Sequence, residues 1–269
     1  MSCNHNCATC KEKCSTPTNT VVETAKENKI KKIIGVVSGK GGVGKSTVTS
    51  LLAVELAKKG YKVGIMDSDI TGPSIPKAFG LYDDVMGDGR LMFAPKSRKY
   101  GIKVMSVNLL ISDPTMPVLW RGPMIGSAVR QFYSDVLWGD LDFLFVDMPP
   151  GTGDVAMTVF QSLPVDGVVI VTTPQDLVSM IVGKAVNMCN QMNVNIIGLV
   201  ENMAYMECPC CNEKLYPFGA SKLEEVSKEY NLKPLASMKI DPSINQLIDK
   251  GLVEDANSSI VIDAVNKLI

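Results

Sequence analysis

The sequence predicts an α/β domain in which helices cover both faces of a doubly wound, mostly parallel sheet. Apolar segments of strand length alternate with segments of helical length along most of the chain. The strand segments are apolar throughout rather than at every second residue, which is typical of strands buried on both faces. A glycine-rich loop joins the first strand to the first helix, at the edge where such sheets bind their ligands.

Composition and charge narrow the classes of partner. The chain has 269 residues, enough to bury a core without disulfides or metal. Its 27 basic and 28 acidic side chains give a net charge of −1, whereas a nucleic-acid partner favours a basic excess. Neither a membrane-spanning apolar run nor the apolar segment of a secretion signal is found. We therefore expect a cytoplasmic protein with no membrane and no nucleic-acid partner.

The predicted elements begin after a short N-terminal tail. Residues 1–30 are expected to be flexible and to carry four cysteines, because the second half of this segment is small and polar and shows no periodicity. Residues 31–269 form the predicted domain, whose first strand ends at the glycine-rich loop. The first helix, from Ser46 to Lys59, has one apolar face and ends before Gly60, a typical C-terminal cap.

Strands and helices then alternate to the end of the chain. Right-handed crossovers between parallel strands would place the helices on both faces of the sheet. Residues 80–100 are irregular in pattern, with room for a small hairpin. The later strands are predicted within 61–69, 101–107, 141–150, 166–174 and 195–202, and the later helices near 121–138, 154–163, 175–192, 219–230, 242–250 and 257–268.

The loop after the first strand has the spacing of a phosphate-binding loop. Its sequence, GKGGVGKST, fits G-x-x-x-x-G-K-[ST] between a strand and a helix, the context that this motif requires. Glycines let backbone N–H groups converge on phosphate oxygens, and the helix N-terminus adds a positive dipole. Lys45 is expected to reach the β- and γ-phosphates, and the Ser46 hydroxyl to ligate Mg²⁺. The predicted nucleotide-binding residues are Gly39, Lys40, Gly41, Gly42, Val43, Gly44, Lys45, Ser46 and Thr47.

Three aspartates follow predicted strands at the same edge of the sheet. Asp67 and Asp69 follow the second strand, and Asp147 ends the strand LDFLFV. A carboxylate in such a buried position is costly unless it is paired or bound to a metal, so Asp147 is interpreted as a group of the Mg²⁺ shell. Asp69 could instead cap a helix or a turn, and Asp154 could cap the helix that starts at Val155.

The eight cysteines form two clusters, with Cys189 isolated in a helical pattern that predicts a core position. Cys208 and Cys211 have the C-x-x-C spacing that can grip one metal ion or one edge of an iron–sulfur cluster. A [4Fe–4S] cluster or tetrahedral zinc takes four ligands, which a twofold dimer would supply from two such pairs. The tail cysteines could hold a cluster or zinc within one chain, or stay reduced and disordered. They are Cys3, Cys7, Cys10 and Cys14.

Together these motifs resemble those of one family. The segment KGGVGKST is similar to the deviant phosphate loop of the MinD/ParA class, and the later segments occur in the order found in the Mrp/ApbC family of iron–sulfur cluster carrier ATPases. The resemblance covers about residues 31–269. A departure is C-P-C-C, in which the residue after the proline is itself cysteine. The segments that carry the resemblance are KGGVGKST, DSDITGPS, WRGPM, DMPPGTGD, TTPQ, ENM and the C-P-x-C pair.

This resemblance implies a homodimeric P-loop ATPase that uses ATP and Mg²⁺, binds a [4Fe–4S] cluster at the dimer interface and delivers it to recipient apo iron–sulfur proteins. Lys40, otherwise a solvated lysine, would reach across the dimer to the partner's phosphates. Asp67 would support the magnesium waters, and Asp69 would orient the attacking water. Asn202 and Asp241 would contact adenine, although Asn202 could simply be a turn residue. The guanine motif N-K-x-D is absent from the sequence, which favours ATP.

Three other interpretations compete with a cluster carrier. A C-P-x-C pair followed by lysine and an aromatic residue is also typical of half a zinc ribbon. An organising ATPase of the MinD/ParA type would need a membrane or DNA attachment, but residues 258–269 are predicted to be a core-packing helix. An electron donor like the nitrogenase iron protein would take its cluster cysteines from separate segments. The organising ATPase leaves Cys208 and Cys211 without a role.

Overall fold

The computed structural model describes residues 22–69, 72, 74–110, 122–175 and 178–269. The predicted sites at Cys3, Cys7, Cys10 and Cys14 lie outside the described residues, as do the first two residues of the WRGPM segment. The strands are β1 (Lys29–Val37), β2 (Val63–Asp67), β3 (Lys103–Ser106), β4 (Asp140–Asp147), β5 (Gly167–Thr172), β6 (Ile196–Glu207), β7 (Lys214–Leu215) and β8 (Pro234–Lys239). The helices are α1 (Lys45–Lys58), α2 (Ile75–Ala78), α3 (Gly122–Ser134), α4 (Asp154–Ser162), α5 (Val178–Gln191), α6 (Leu223–Glu229), α7 (Pro242–Asp249) and α8 (Ile262–Leu268).

The strands form one mostly parallel sheet, as predicted. Its order is β3-β2-β4-β1-β5-β6, and both β7 and β8 pair with β6. Only the β6–β7 pairing among the described strands is antiparallel. β1 therefore lies between β4 and β5, so the loop that follows β1 opens at the carboxyl edge near the middle of the sheet, where ligands of α/β proteins bind.

Two apolar layers bury the faces of this sheet. Adjacent residues of β1 point to opposite sides, so Ile33 packs in one layer and Ile34 in the other. Helices α3, α4 and α5 cover the first layer, and α1 and α8 cover the second. Cys189 of α5 is fully buried in the first layer, which confirms its predicted core position. None of the helices described by the structure is long and apolar enough to cross a membrane.

The folded part starts earlier than the predicted boundary at residue 30. The Val22 N–H donates to the Ser162 carbonyl at 2.9 Å. The Asn28 side chain is 7% exposed and bridges two backbone groups, donating to the Val136 carbonyl and accepting from the Gly139 N–H. Polar composition alone suggested a tail here, but these hydrogen bonds fasten residues 22–28 to the domain.

The other differences from the predicted elements lie mostly in the second half of the chain. β6 continues five residues beyond the predicted end at 202 and runs up to the cysteine segment. β7, β8 and the short helix α2 have no counterpart among the predicted elements. The predicted helix at 257–268 begins as a 3₁₀ turn and becomes α-helical only at Ile262. Residues 80–100 contain an antiparallel bridge between Gly87 and Met92, in line with the predicted hairpin.

Candidate functional site

The phosphate loop lines a cavity of about 250 Å³ at the carboxyl edge of the sheet. The loop leaves β1 at Val37 and enters α1 at Lys45. Gly42 and Gly44 have φ angles of 78° and 77°, a left-handed region that favours glycine. Every predicted loop residue from Lys40 to Thr47 lines the cavity, while Gly39 packs closely against Ile181 of α5. The cavity is completed by Ser38, Asp69, Ser74 and Pro150.

Lys45 brings a buried positive charge to this cavity. Its side chain is 6% exposed, and its Nζ lies 2.9 Å from Asp147 Oδ1. The approach is not aligned as a hydrogen bond, so Nζ has no hydrogen-bond acceptor within the part of the chain that the structure describes. A desolvated ammonium with open donors is costly unless an anion completes it. Lys45 therefore fits a phosphate group in the cavity.

Asp147 is the hydrogen-bonding centre beneath the loop. Its side chain is fully buried and accepts from the Ser46 hydroxyl at 2.5 Å and from the Thr49 hydroxyl at 2.9 Å. Asp147 is also the register partner of Asp67 in the β2–β4 pairing. Two carboxylates and one hydroxyl at adjacent strand and helix ends are the oxygen ligands that Mg²⁺ prefers. The donor set thus fits the predicted magnesium shell.

Asp67 is buried below the cavity, whereas Asp69 lines it. The Asp67 carboxyl accepts from the Asp69 N–H at 3.1 Å and from the Ser106 hydroxyl at 3.3 Å. Burial, followed by the nearby negative charge of Asp147, raises the pKa of Asp67 to about 8. A divalent cation at this position would favour the ionised form of Asp67.

A second cavity, of about 210 Å³, continues from the first beyond Thr47, which lines both. The two predicted base-binding residues, Asn202 and Asp241, both line it. Asn202 also supports the phosphate loop, since its Nδ2 donates to the Val43 carbonyl at 2.9 Å. The Asp241 side chain caps α7 by accepting from the Ser243 N–H at 2.9 Å. Base contact by either residue remains a prediction. The remaining lining is Met203, Phe218, Met238, Lys239, Ile240, Ile244 and Asn245.

Lys40 is half-buried at the rim of the phosphate cavity. Its Nζ donates to Oε1 of Gln175, an exposed residue that follows β5. The contact holds the lysine within its own chain, and its reach toward a partner's phosphates remains a prediction.

The cysteine pair lies at the tip of the hairpin formed by β6 and β7. The tip is closed by two backbone hydrogen bonds of 2.9 Å, from Cys208 N–H to the Glu213 carbonyl and from Asn212 N–H to the Cys208 carbonyl. Cys208 is half-buried, and Cys210 and Cys211 are exposed. Hydrogen bonds from the backbone N–H of Cys210, and then from Cys211, lower the pKa of the Cys208 thiol. They favour the thiolate, the form that binds metals.

The described residues of one chain offer only part of a metal site at this tip. No three side chains of the ligating types His, Cys, Asp and Glu are grouped so as to hold a metal ion anywhere in the described ranges. This finding agrees with the ligand shortage that the C-x-x-C spacing predicts within a single chain.

Several contacts at the site were not predicted. Thr49 lies one helical turn after Lys45 and so reaches Asp147, a spacing that the sequence could have revealed. Ser106 ends β3 beside β2 and reaches Asp67, a placement that depends on strand order. Phe218 reaches the second cavity after the chain has turned back through β7, and no sequence pattern indicates this approach.

The fold agrees with comparisons to known proteins. A family model described as ParA, NUBPL iron-transfer P-loop NTPase, matches residues 29–269. A Clostridium perfringens protein named iron-sulfur cluster carrier protein is 47% identical over 233 residues, covering 84% of this chain and 82% of that protein. A Methanocaldococcus jannaschii protein of the same name is 43% identical over 263 residues, covering 93% and 89% of the two chains.

Solved structures of other proteins share this fold. A nucleotide-binding protein from Archaeoglobus fulgidus, solved in complex with ADP, is 44% identical and superposes with a TM-score of 0.76, covering 84% of this chain and 88% of that one. The Pyrococcus furiosus cell-division ATPase MinD superposes with a TM-score of 0.62 over 88% of this chain and 98% of its own, but at 19% identity it shows the fold alone. On the family match and the identity to these relatives, the chain belongs to the NUBPL iron-transfer P-loop NTPase family.

Proposed function

We propose that this protein is a cytoplasmic, homodimeric ATPase that carries one [4Fe–4S] cluster on Cys208 and Cys211 of two chains and delivers it to apo iron–sulfur proteins. The observation that carries the proposal is the pairing of a phosphate loop with an exposed C-x-x-C tip on the same carboxyl edge of the sheet. Relatives named iron-sulfur cluster carrier proteins support it.

The phosphate cavity supports binding and hydrolysis of Mg-ATP. Lys45 has open donors for the β- and γ-phosphates, and Ser46 with Asp147 supplies oxygen atoms for Mg²⁺. Asp69 lines the cavity, where it would orient the water that attacks the γ-phosphorus as the bond to ADP breaks. The products are ADP and inorganic phosphate, and a Mg²⁺ held by Ser46 and Asp147 would supply positive charge beside the leaving oxygen.

The cysteine tip supports a cluster shared between two chains. Two thiolates per chain fall short of the four that a [4Fe–4S] cluster takes, and an isologous dimer supplies the other two. Cys210 lies between the two ligands in sequence and is exposed, so the C-x-x-C spacing leaves it outside the ligand set. A cluster at an exposed tip has few protein contacts to break when a recipient protein takes it over.

The test is reconstitution of the full chain without oxygen, with Cys3, Cys7, Cys10 and Cys14 replaced by serine so that the tail binds no iron. Iron, zinc and sulfide are then counted per chain. One four-iron cluster per dimer gives about two iron and two sulfide per chain. Cys208→Ser and Cys211→Ser should each abolish this cluster, whereas Cys210→Ser and Cys189→Ser are matched controls that should retain it.

Transfer is measured in the same preparation by mixing the loaded protein with an apo iron–sulfur protein and following activation of the recipient. About half a zinc per chain without sulfide would identify a shared structural zinc site and reject the carrier proposal. A stable cluster that never reaches the recipient, but passes electrons on ATP addition, would favour an electron donor instead.

A further inference from the structure

Both ends of the hairpin that carries the cysteines lie at the wall of the second cavity. We call residues 203–218 the cysteine arm: it runs out along the end of β6, turns at the cysteine tip and returns through β7. Met203 at its start and Phe218 at its end both line the second cavity. Cys208 lies five residue steps beyond Met203, a reach of roughly 17 Å along a strand. Each strand of the arm thus joins the cavity wall to the cysteine tip.

Two contacts along the outgoing strand tie the arm to other cavity residues. The Lys239 ammonium forms a salt bridge of 2.6 Å with Glu207, the last residue of β6. The Ile240 N–H donates to the Tyr205 carbonyl at 2.6 Å. Lys239 and Ile240 line the second cavity themselves. A shift of this wall would therefore be passed directly to the strand that leads to Cys208.

The segment that follows β7 brings an aromatic side chain, Phe218, to the wall of the second cavity. Phe218 is 42% exposed although it lines the cavity, so its ring is only partly packed. The cavity is also lined by Met203, Met238 and Ile244, which are apolar, and the two methionines are polarizable. An apolar slot with one exposed ring and a few polar groups suits a planar base rather than a phosphate.

We propose that the Phe218 ring closes over the base of a bound purine nucleotide and that this closure orders the cysteine arm. The proposal rests on the proposed nucleotide site and adds a route of regulation to it: base occupancy, separately from phosphate occupancy, sets the conformation of Cys208 and Cys211. Phe218 is on this account a base-binding residue for the nucleotide and a positioning residue for the cysteines. This coupling between the base and the two cysteines runs within one chain.

The experiment separates the base from the phosphates. Amide hydrogen exchange of the arm is followed by mass spectrometry in the full chain with Mg²⁺, comparing ADP with inorganic pyrophosphate. Neither ligand has a γ-phosphate for a partner chain to recognise. ADP should slow exchange at the tip, including the Cys208 and Asn212 amides, by about threefold or more, because these amides exchange through local opening of the arm. Pyrophosphate should leave tip exchange unchanged while protecting the phosphate loop.

Variants of the cysteine arm test whether the Phe218 ring links the bound base to the cysteine tip. Phe218→Ala should bind ADP about tenfold more weakly, the usual scale of a lost base–aromatic contact, but bind pyrophosphate as the parent does. It should also lose the ADP effect on the tip at saturating ADP. Phe218→Trp keeps a ring and should retain both properties. Tyr216→Ala removes an exposed aromatic side chain of the same arm that does not line the cavity, and it should behave as the parent.

Equal protection of the tip by ADP and pyrophosphate would overturn the proposal, since the signal would then come from the phosphates. Protection by ADP that survives in Phe218→Ala would overturn the role of the ring. These outcomes are distinguishable from failure of the carrier function, which is read from iron and sulfide content. A chain that loads and transfers a cluster with no base-dependent change at the tip would retain the function and lose this inference alone.

Discussion

At the scale of single residues, the buried charges of Asp147 and Lys45 compensate each other. Both are almost fully buried, and the ammonium lies 2.9 Å from the carboxylate. The carboxylate has two further donors in Ser46 and Thr49, while the ammonium has no hydrogen-bond acceptor among the described residues. A phosphate group in the cavity would supply the hydrogen-bond acceptor that Lys45 lacks among the described residues.

This dependence predicts the stability of two variants. Lys45→Met leaves Asp147 without its opposing charge and should lower the free energy of unfolding by about 3 kcal/mol as well as abolish nucleotide binding. Adding Asp147→Asn should recover most of that stability and none of the binding. Urea unfolding and calorimetric titration with ATP measure the two properties. Equal stability of the single and double variants would contradict the pairing.

Asp69 gives a prediction about turnover rather than binding. It lines the phosphate cavity, so Asp69→Asn should bind ATP as the parent does but hydrolyse it about 10²- to 10⁴-fold more slowly, the range of a lost general base. The exposed Asp84 lines no part of either cavity described above, and Asp84→Asn is a matched control that should keep parental turnover. Unchanged phosphate release by Asp69→Asn would reject the assigned role.

At the scale of elements, a side chain of β6 supports the phosphate loop. Asn202 lies within β6, directly after the last residue that pairs with β5, and donates to the Val43 carbonyl inside the loop. A Cβ on Gly44 would lie 2.2 Å from Asn202 Nδ2, whereas a Cβ on Gly42 would meet nothing within 4 Å. Glycine is therefore required at position 44 both by the left-handed φ angle and by the close Asn202 side chain. At position 42 it is required by the φ angle alone.

The difference can be measured with two matched substitutions. Gly42→Ala and Gly44→Ala both impose a left-handed φ on alanine, a cost of about 1–2 kcal/mol. Gly44→Ala should cost clearly more, because it also collides with the Asn202 amide. A double-mutant cycle with Asn202→Ala should remove the excess at Gly44 and change nothing at Gly42. Equal melting temperatures for the two alanine variants would contradict the close contact.

The two halves of the site differ in how far the sequence predicts them. The phosphate loop is one contiguous segment with a fixed spacing, so Gly39–Thr47 and the nearby aspartates could be named in advance. The second cavity is assembled from β6, Phe218 and residues 238–245, which only tertiary folding brings together. β8 escaped prediction because it starts with proline and pairs with β6 in an irregular register.

At the scale of the whole molecule, the proposed dimer predicts complementation between inactive chains. Lys40→Ala and Lys45→Ala should each abolish ATP hydrolysis, and Lys40→Ala should retain most of its nucleotide affinity. In a mixed dimer, the Lys40→Ala chain keeps its own Lys45 and receives Lys40 from the partner, which completes one of two sites. Tagged co-purification verifies the mixed species. Absence of recovered hydrolysis in such dimers would favour the contact between Lys40 and Gln175 within one chain.

The central place of β1 has a consequence for synthesis of the chain. Among the described strands β1 is translated first, yet its partners are β4 and β5, which begin at Asp140 and Gly167. The roughly 100 residues between β1 and β4 take about 5–20 s to translate at typical rates. Throughout that interval the nascent chain holds an apolar strand with two open edges, and Lys45 has no Asp147. Nucleotide can therefore engage the complete phosphate site only after Asp147 has been made.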